Sequence, residues 1–241
     1  FVDPPPTLKK QNRVAASDLP FDQDFKIRRA YLFPTVDRQE QPTQIPYIGV
    51  VLGYQYLAQE GWKSNNAPNG LILSKNENQI VLNQIQSNFS NFLHHDPGWD
   101  FLINWRKSKN NVNFNKISVA ELLNDSVPPN LFRDRLVIIG NSASSRGDVH
   151  NTPLDRWQKW QWTNGIDIVA QVSSSIISAA LNKRKLISPA PAWLEFLLLV
   201  LPTIYLTKLS IDSFDNNISL AKHKLITGKY IVLLGSCIAI I

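Results

Sequence analysis

Cysteine and methionine are nearly missing from this chain of 241 residues, which contains one cysteine, Cys237, and no methionine. A single cysteine excludes a disulfide-stabilised scaffold and leaves the redox compartment open. Because the chain has no methionine and opens on Phe1, we expect it to be a fragment of a longer protein. Apolar residues are plentiful at 44%, which excludes low-complexity disorder and allows one or two domains with a real core.

Acidic residues are the scarcer charged class, with 19 Asp and Glu against 25 Lys and Arg. The formal net charge is therefore +6, which is compatible with an anionic lipid or a nucleic acid as partner. Net charge alone is a weak indicator of partner, so function has to be sought in particular segments.

Long apolar runs occur only near the end of the sequence. Residues 190–206 (APAWLEFLLLVLPTIYL) approach the length of about 20 residues that a membrane-spanning helix needs. A soluble core helix would carry polar residues at every third or fourth position, and residues 196–201 carry none. We therefore predict a transmembrane helix at 189–207, a short cytoplasmic loop at 208–229 and a second, truncated transmembrane helix at 230–241.

The distribution of basic residues sets the expected orientation. The predicted loop at 208–229 holds four lysines against two aspartates, and Lys and Arg accumulate on the cytoplasmic side of membranes. Residues 1–188 are therefore expected outside. The triplet KRK at 183–185, just before the first apolar run, favours the opposite orientation, and its positive charge nearly offsets that of the loop.

Helix-like and strand-like segments alternate within residues 1–188. The apolar segment 136–139 (LVII), which closes on Gly140, is typical of a buried strand. The alternation predicts an α/β fold with a mixed, largely parallel sheet and flanking helices. Helices are expected at 47–60 with Gly61 as C-cap, at 119–123 after Ser118, and at 166–181 with a strand-like start. Other strands are expected at 27–33, 71–73, 79–82 and 101–105, and loops at 64–70 and 110–113.

The loop after 136–139 is the first candidate binding site. Its sequence at 140–148, GNSASSRGD, is small and polar, and ligands of open α/β sheets bind beyond the carboxyl ends of strands. Backbone N–H groups there would meet an anion beside Arg146, with Asp148 as an acceptor. The competing interpretation is a tight polar turn whose side chains bond their own backbone. The spacing matches neither the Walker nor the dinucleotide-binding fingerprint.

A second candidate lies around residue 22. An EF-hand loop starting at Asp22 is excluded, because glycine and glutamate are missing from its sixth and twelfth places. Asp22 and Asp24 instead precede the strand expected at 27–33, in which Arg28 and Arg29 point to opposite faces. One arginine would then meet an acidic group inside while the other stays in solvent.

Histidine and tryptophan predict neither a metal site nor catalysis. His94, His95 and Asp96 are neighbours that point in different directions, so no zinc site is expected. His150 would hydrogen-bond Asp148, but no nucleophile elbow accompanies the pair, and no catalytic residue is predicted. The segment RWQKWQW at 156–162 resembles a base-stacking surface, yet packing under a loop or at the lipid headgroups suits a chain with membrane helices. We predict no enzyme, no cofactor, no metal and no nucleic-acid partner.

Four blocks of sequence follow one another in a distinctive order. They are DLPFDQDFKIRR at 18–29, INWR at 103–106, FRDRLVIIGNSASS at 132–145 followed by Asp148, and GIDIVA at 165–170. Together they resemble the CHASE2 sensor domain family over about residues 16–187. The family usually carries glycine where Phe25 stands in this chain.

The resemblance implies a bacterial transmembrane receptor, multi-pass in the cytoplasmic membrane, with residues 1–188 as its extracytoplasmic sensor domain. The implied partners are a small-molecule or cell-envelope ligand, membrane lipid, a cytoplasmic output domain and a second copy in a homodimer. An alternative is a membrane-anchored protein-interaction module without signalling output. A third interpretation, an enzyme acting on an anionic substrate through Asp148, His150 and Arg146, lacks a nucleophile. The residues expected to contact ligand are Asn141, Ser142, Ser145, Arg146, Asp148, Arg28, Arg29, Asn104 and Arg106.

Overall fold

The computed structural model describes residues 5–10, 13–38, 41–68, 70–85, 98–106, 114–143, 145, 147–154, 162–182 and 184–215. The chain divides into two units, Phe1–Pro189 and Ala190–Ile241. The helices of the described residues are α1 (Pro6–Lys10), α2 (Ile48–Gln59), α3 (Val119–Leu123), α4 (Gly165–Leu181) and α5 (Ala192–Asp215), with a 3₁₀ turn at Pro129–Phe132. The strands are β1 (Arg29–Arg38), β2 (Gln41–Gln44), β3 (Lys63–Ala67), β4 (Gly70–Lys75), β5 (Asn78–Asn83), β6 (Gly98–Leu102), β7 (Val149–His150) and β8 (Thr163–Asn164).

The strands form three small antiparallel sheets, in the orders β2-β1-β6, β3-β4-β5 and β7-β8. The prediction of a largely parallel sheet was therefore wrong. The reason is the length of the connections: Lys75 pairs with Asn78, so only two residues join β4 to β5. A parallel crossover needs a dozen residues or more. Among the described residues, parallel contact is limited to the single bridges Ala16–Tyr47 and Lys26–Asn151.

The apolar segment 136–139 is not a strand, which is the second correction to the predicted fold. Val137 and Ile139 are 49% and 87% exposed, and the segment pairs with no strand among the described residues. A β-branched run becomes a strand only where a neighbouring strand takes its backbone hydrogen bonds. Gly140 closes the segment against α4, where a Cβ atom would lie 2.7 Å from Cδ1 of Ile166.

The predicted helices at 47–60 and 119–123 are confirmed as α2 and α3. Gly61 lies one residue beyond the observed cap of α2, at φ 85°, a left-handed conformation that glycine adopts without strain. Ser118 caps α3, because its Oγ accepts a hydrogen bond from the Glu121 backbone N–H at 3.2 Å. In turn, the Glu121 carboxylate accepts a hydrogen bond from the Ser118 backbone N–H at 2.7 Å.

Other predictions of secondary structure had mixed outcomes. The expected strands at 71–73 and 79–82 lie within β4 and β5, whereas those at 27–33 and 101–105 overlap only partly with β1 and β6. The expected strand at the start of 166–181 was wrong, because α4 is helical from Gly165. The loop expected at 64–70 was also wrong, since residues 64–67 lie in β3, which pairs with β4. The expected loop at 110–113 lies outside the described residues, as do His94, His95 and Asp96, and Trp157 and Trp160.

The core of the first unit is built where α2 packs on α4. Val172 and Ile176 of α4 are fully buried, and a Cβ atom at Gly49 of α2 would lie 2.9 Å from Cβ of Val172. The two backbones therefore approach closely, and Ser173 Oγ donates a hydrogen bond to the Gly49 carbonyl at 2.9 Å. The contact orients α4, whose first turn approaches Asp148 and whose last turns contact Arg106.

Helix α5 is the only described helix long and apolar enough to cross a membrane by length and composition. The candidate span is Trp193–Ser210, and none of that window is buried inside the protein. The helix continues to Asp215, so it includes residues 208–215 of the segment predicted as a cytoplasmic loop. The second membrane helix predicted at 230–241 lies outside the described residues.

Candidate functional site

The predicted loop at 140–148 is exposed and bonds partly to itself. Asn141 Oδ1 accepts a hydrogen bond from the Ala143 N–H at 2.8 Å, which is the local turn that competed with a binding site in the sequence. Ser142 and Ser145 are exposed. Arg146 lies outside the described residues. The loop thus offers polar groups to solvent but no basic side chain among its described residues.

Asp148 lies where this loop reaches the first turn of α4. Its carbonyl accepts a hydrogen bond from the Gly165 N–H at 3.1 Å, as β7 pairs with β8. A Cβ atom at Gly165 would overlap the Asp148 carboxylate, so the missing side chain makes room for it. A negative group at a helix N-terminus is favoured by the helix dipole. The carboxylate is nevertheless 53% exposed, and so remains open to a ligand.

His150 forms a hydrogen bond with the Asp148 carboxylate. Its Nε2 lies 3.0 Å from Asp148 Oδ1, which confirms the hydrogen-bonded pair expected from the sequence. The Phe21 ring packs against the imidazole with centroids 5.6 Å apart. This packing and the hydrogen bond restrict the orientation of the histidine.

Tyr47 is a residue of this region that sequence reasoning missed, because it was read only as the start of a helix. Its side chain is fully buried, and its hydroxyl has no hydrogen-bond partner among the described residues. Burial raises the pKa of the phenol, and the negative charge of Asp148 raises it further. The phenol is therefore a neutral donor. With Asp148 and His150 it forms a set of polar groups that we name the α4-start site.

The expectation for the two neighbouring arginines is confirmed for Arg29, which meets acidic groups inside, whereas Arg28 is partly exposed but also pairs with aspartates. Arg29 is 2% exposed and pairs with Asp22 at 2.9 Å and with Asp100. Arg28 is 37% exposed and pairs with Asp22 and Asp24, both at 2.7 Å. The hydrogen bond from Arg28 lowers the pKa of Asp24, and the two carboxylates raise the pKa of Arg28. Both guanidinium groups thus have carboxylate partners within the protein.

Asn104 and Arg106 lie at the opposite end of α4 from Asp148. Asn104 Nδ2 donates to the Lys185 carbonyl at 2.7 Å, and Arg184 Nη2 donates to Asn104 Oδ1 at 2.6 Å. Arg106 Nη2 donates to Ser178 Oγ at 2.6 Å. At a rise of about 1.5 Å per residue, the 17 residues of α4 separate its two ends by about 25 Å.

The predicted site residues therefore form three groups and not one. The Arg28–Arg29 cluster is connected to both other groups. The Arg28 carbonyl accepts a hydrogen bond from the N–H of Ile103 at 2.9 Å, and Ile103 precedes Asn104 in the chain. Lys26 forms a parallel β-bridge with Asn151, which follows His150 of the α4-start site in the chain. None of the groups presents an activated nucleophile beside a base. No cluster of His, Cys, Asp and Glu suited to a metal ion occurs in the described part of the chain.

Comparison with known proteins identifies the family of the chain. A family model of the CHASE2 domain matches residues 2–207, which is most of the 241-residue chain. No curated protein and no solved structure matches the chain. CHASE2 is a sensory domain, found outside the cytoplasm in membrane receptors, and is not catalytic. The matched region contains every block of the sequence resemblance, and the chain belongs to the CHASE2 domain family.

Proposed function

We propose that this chain is the sensory input part of a bacterial transmembrane receptor. In this proposal residues 1–188 form the sensor domain outside the cytoplasmic membrane, α5 is a membrane helix, and the receptor is multi-pass. A cytoplasmic output domain completes it. Family membership supports the sensor role, and the exposed apolar window Trp193–Ser210 directly after the first unit supports the membrane helix.

The observation that carries the binding proposal is the exposed Asp148 carboxylate at the start of α4. Asn141, Ser142 and Ser145 flank it on the exposed loop. Its chemistry suits a ligand, either a small molecule or an envelope component, that donates hydrogen bonds or carries positive charge. Binding would shift the population of two positions of α4. The shift would pass through residues 182–188 to α5, because that segment directly connects the two helices in the chain.

The outside location can be tested with single-cysteine variants of the full chain, starting from Cys237→Ser. Glu77→Cys places a thiol at the exposed β4–β5 turn, and Asp215→Cys places one at the last residue of α5, beyond the candidate span Trp193–Ser210. In intact spheroplasts a membrane-impermeant maleimide should label Glu77→Cys and should reach Asp215→Cys only after permeabilisation. The reverse pattern would show that residues 1–188 lie in the cytoplasm.

The binding role can be tested by Asp148→Asn in the full-length receptor, with output measured across an extract of envelope components and small cationic metabolites. Loss of the response with normal membrane insertion is expected. Asp134→Asn is the matched control, because Asp134 is also an exposed aspartate and asparagine tolerates its left-handed φ of 56°. An unchanged response in Asp148→Asn would remove the α4-start site from the mechanism.

One observation favours an alternative function, a membrane-anchored protein-interaction module without output. Val137 and Ile139 expose apolar surface on a segment without a strand partner among the described residues, as a docking surface would. The reading frame on the C-terminal side separates the two proposals. A kinase or cyclase domain there supports the receptor, and its absence supports the interaction module.

A further inference from the structure

Arg184, just after the end of α4, has a guanidinium group whose hydrogen-bond donors are only partly used. Its Nη2 donates to Asn104 Oδ1 at 2.6 Å and to the Trp105 carbonyl at 3.0 Å. Its Nη1 is buried and has no hydrogen-bond partner among the described residues. The indole nitrogen of Trp105 is likewise buried and unpartnered there. Buried donors without acceptors are costly, so a missing acceptor is indicated at this place.

A second positive charge lies beside Arg184. The Arg184 N–H donates to the Ser178 carbonyl at 3.2 Å, and Arg106 Nη2 donates to Oγ of the same Ser178 at 2.6 Å, so the two arginines meet at this residue. Burial lowers the pKa of Arg184, and the charge of Arg106 lowers it further. Arg106 is held by neutral groups: its Nη2 donates to Ser178 Oγ, and its backbone exchanges two hydrogen bonds with the Gln171 side chain, at 3.1 and 2.9 Å.

No carboxylate in the part of the chain that the structure describes pairs with these charges. Within the described residues neither guanidinium group contacts an acidic side chain, and the sequence contains no Asp or Glu at 101–120 or at 168–194. The C-terminal end of α4 contributes a partial negative charge of about half a unit, which is much less than two full positive charges. The cluster is therefore short of negative charge as well as of acceptors.

We propose that Arg184, Arg106 and the indole N–H of Trp105 bind an oxyanion of the phosphate class. A guanidinium group fits two phosphate oxygens with parallel N–H donors, and the unused Nη1 lies next to the ordered Nη2 in such a fork. The bound anion would supply both the missing acceptors and the missing charge. This site is separate from the α4-start site and would exist whatever ligand Asp148 binds.

The oxyanion can come from solution or from a lipid headgroup. Arg184 is eight residues before the first residue of α5 in the chain, so an anionic phospholipid is one source and a free phosphate or phosphate ester is the other. Two arms of one experiment distinguish them. In the first, inorganic phosphate is titrated by calorimetry into the full chain in a neutral detergent at constant ionic strength. In the second, native mass spectrometry counts phosphatidylglycerol and phosphatidylcholine retained from an equimolar mixture.

Three variants of the full chain make the test specific. Arg184→Gln should weaken binding about tenfold or more, because it removes a charge-assisted donor pair. Trp105→Phe keeps the ring, removes only the indole N–H and should weaken binding severalfold. Arg135→Gln is the matched control, because Arg135 is exposed and its loss changes the net charge equally. Its affinity should stay within about twofold of the wild-type value.

Each outcome decides the proposal. Binding of inorganic phosphate with this variant pattern supports a soluble oxyanion, and selective retention of phosphatidylglycerol alone with the same pattern supports a lipid headgroup. The proposal is overturned by the absence of binding in both arms, or by equal losses in Arg184→Gln and Arg135→Gln. If circular dichroism shows that Arg184→Gln does not fold, Trp105→Phe decides alone, and wild-type affinity in that variant overturns the proposal.

Discussion

Replacing Arg29 with methionine removes the buried centre of the ion-pair cluster. The Arg29 side chain is 2% exposed, and its partners Asp22 and Asp100 are 3% and 13% exposed. Without the guanidinium group, the buried Asp22 carboxylate loses one of its charged partners and keeps Arg28. Breaking a buried ion pair by removing one partner costs about 3–5 kcal/mol. We therefore expect Arg29→Met to lower the free energy of unfolding by about 3–5 kcal/mol, a large part of the roughly 5–15 kcal/mol typical of a domain.

The assay is urea unfolding of the full chain in detergent, followed by tryptophan fluorescence. Arg28→Met is the matched control, because it removes the neighbouring guanidinium group from the same aspartate. Arg28 is 37% exposed, and an ion pair near the surface contributes about 1 kcal/mol or less. If Arg29→Met lost no more stability than Arg28→Met, burial of the pair would not govern its contribution and the reasoning would be refuted.

Three further predictions concern local strain, pH and close packing. Phe25→Gly should raise the free energy of unfolding by about 0.5–1 kcal/mol, because Phe25 is 78% exposed and its φ of 58° suits glycine; an unchanged urea midpoint would contradict this. The pKa of Asp24 is held below its usual 3.8 by the hydrogen bond from Arg28, so that pair should stabilise the fold above about pH 4 and lose its contribution as pH falls through the lowered pKa. Asp24→Asn should abolish this part of the acid dependence of urea unfolding, and a wild-type pH profile in the variant would argue against it. Gly165→Ala should displace the half-exposed Asp148 carboxylate and break its hydrogen bond to His150, at a cost of about 0.5–1.5 kcal/mol, and should cost clearly less in a chain that also carries Asp148→Ala; equal costs in the two backgrounds would exclude the overlap as the cause.

Local signals predicted the helices better than the sheets. Ser118 before α3 and Gly61 after α2 lie within a few residues of the helix ends that they mark, and both entered the prediction. Strand pairing depends on residues distant in sequence, and two errors follow from this. The asparagine-rich segment 64–70 was read as a loop, although pairing with β4 makes most of it a strand. The segment 136–139 has strong strand propensity but no strand partner among the described residues.

Some contacts of the candidate site residues could be predicted from the sequence, whereas their arrangement in three groups could not. The pairing of Asp148 with His150 and the burial of one arginine followed from sequence neighbours and strand alternation. The grouping of Asn104 with Arg184 joins positions 80 residues apart, so no local pattern reveals it. Tyr47 was missed because a buried tyrosine at a helix start reads as an ordinary core residue.

The exposed segment 136–139 has a practical consequence for handling the isolated domain. All four of its residues are apolar, and Ile139 is 87% exposed. Apolar β-branched segments left without a partner promote aggregation between chains. A preparation of residues 1–188, which do not include α5, would therefore aggregate as its concentration rises. Val137→Lys is the substitution that we would introduce first to keep such a preparation monodisperse, because a charge in an exposed apolar segment opposes association between chains.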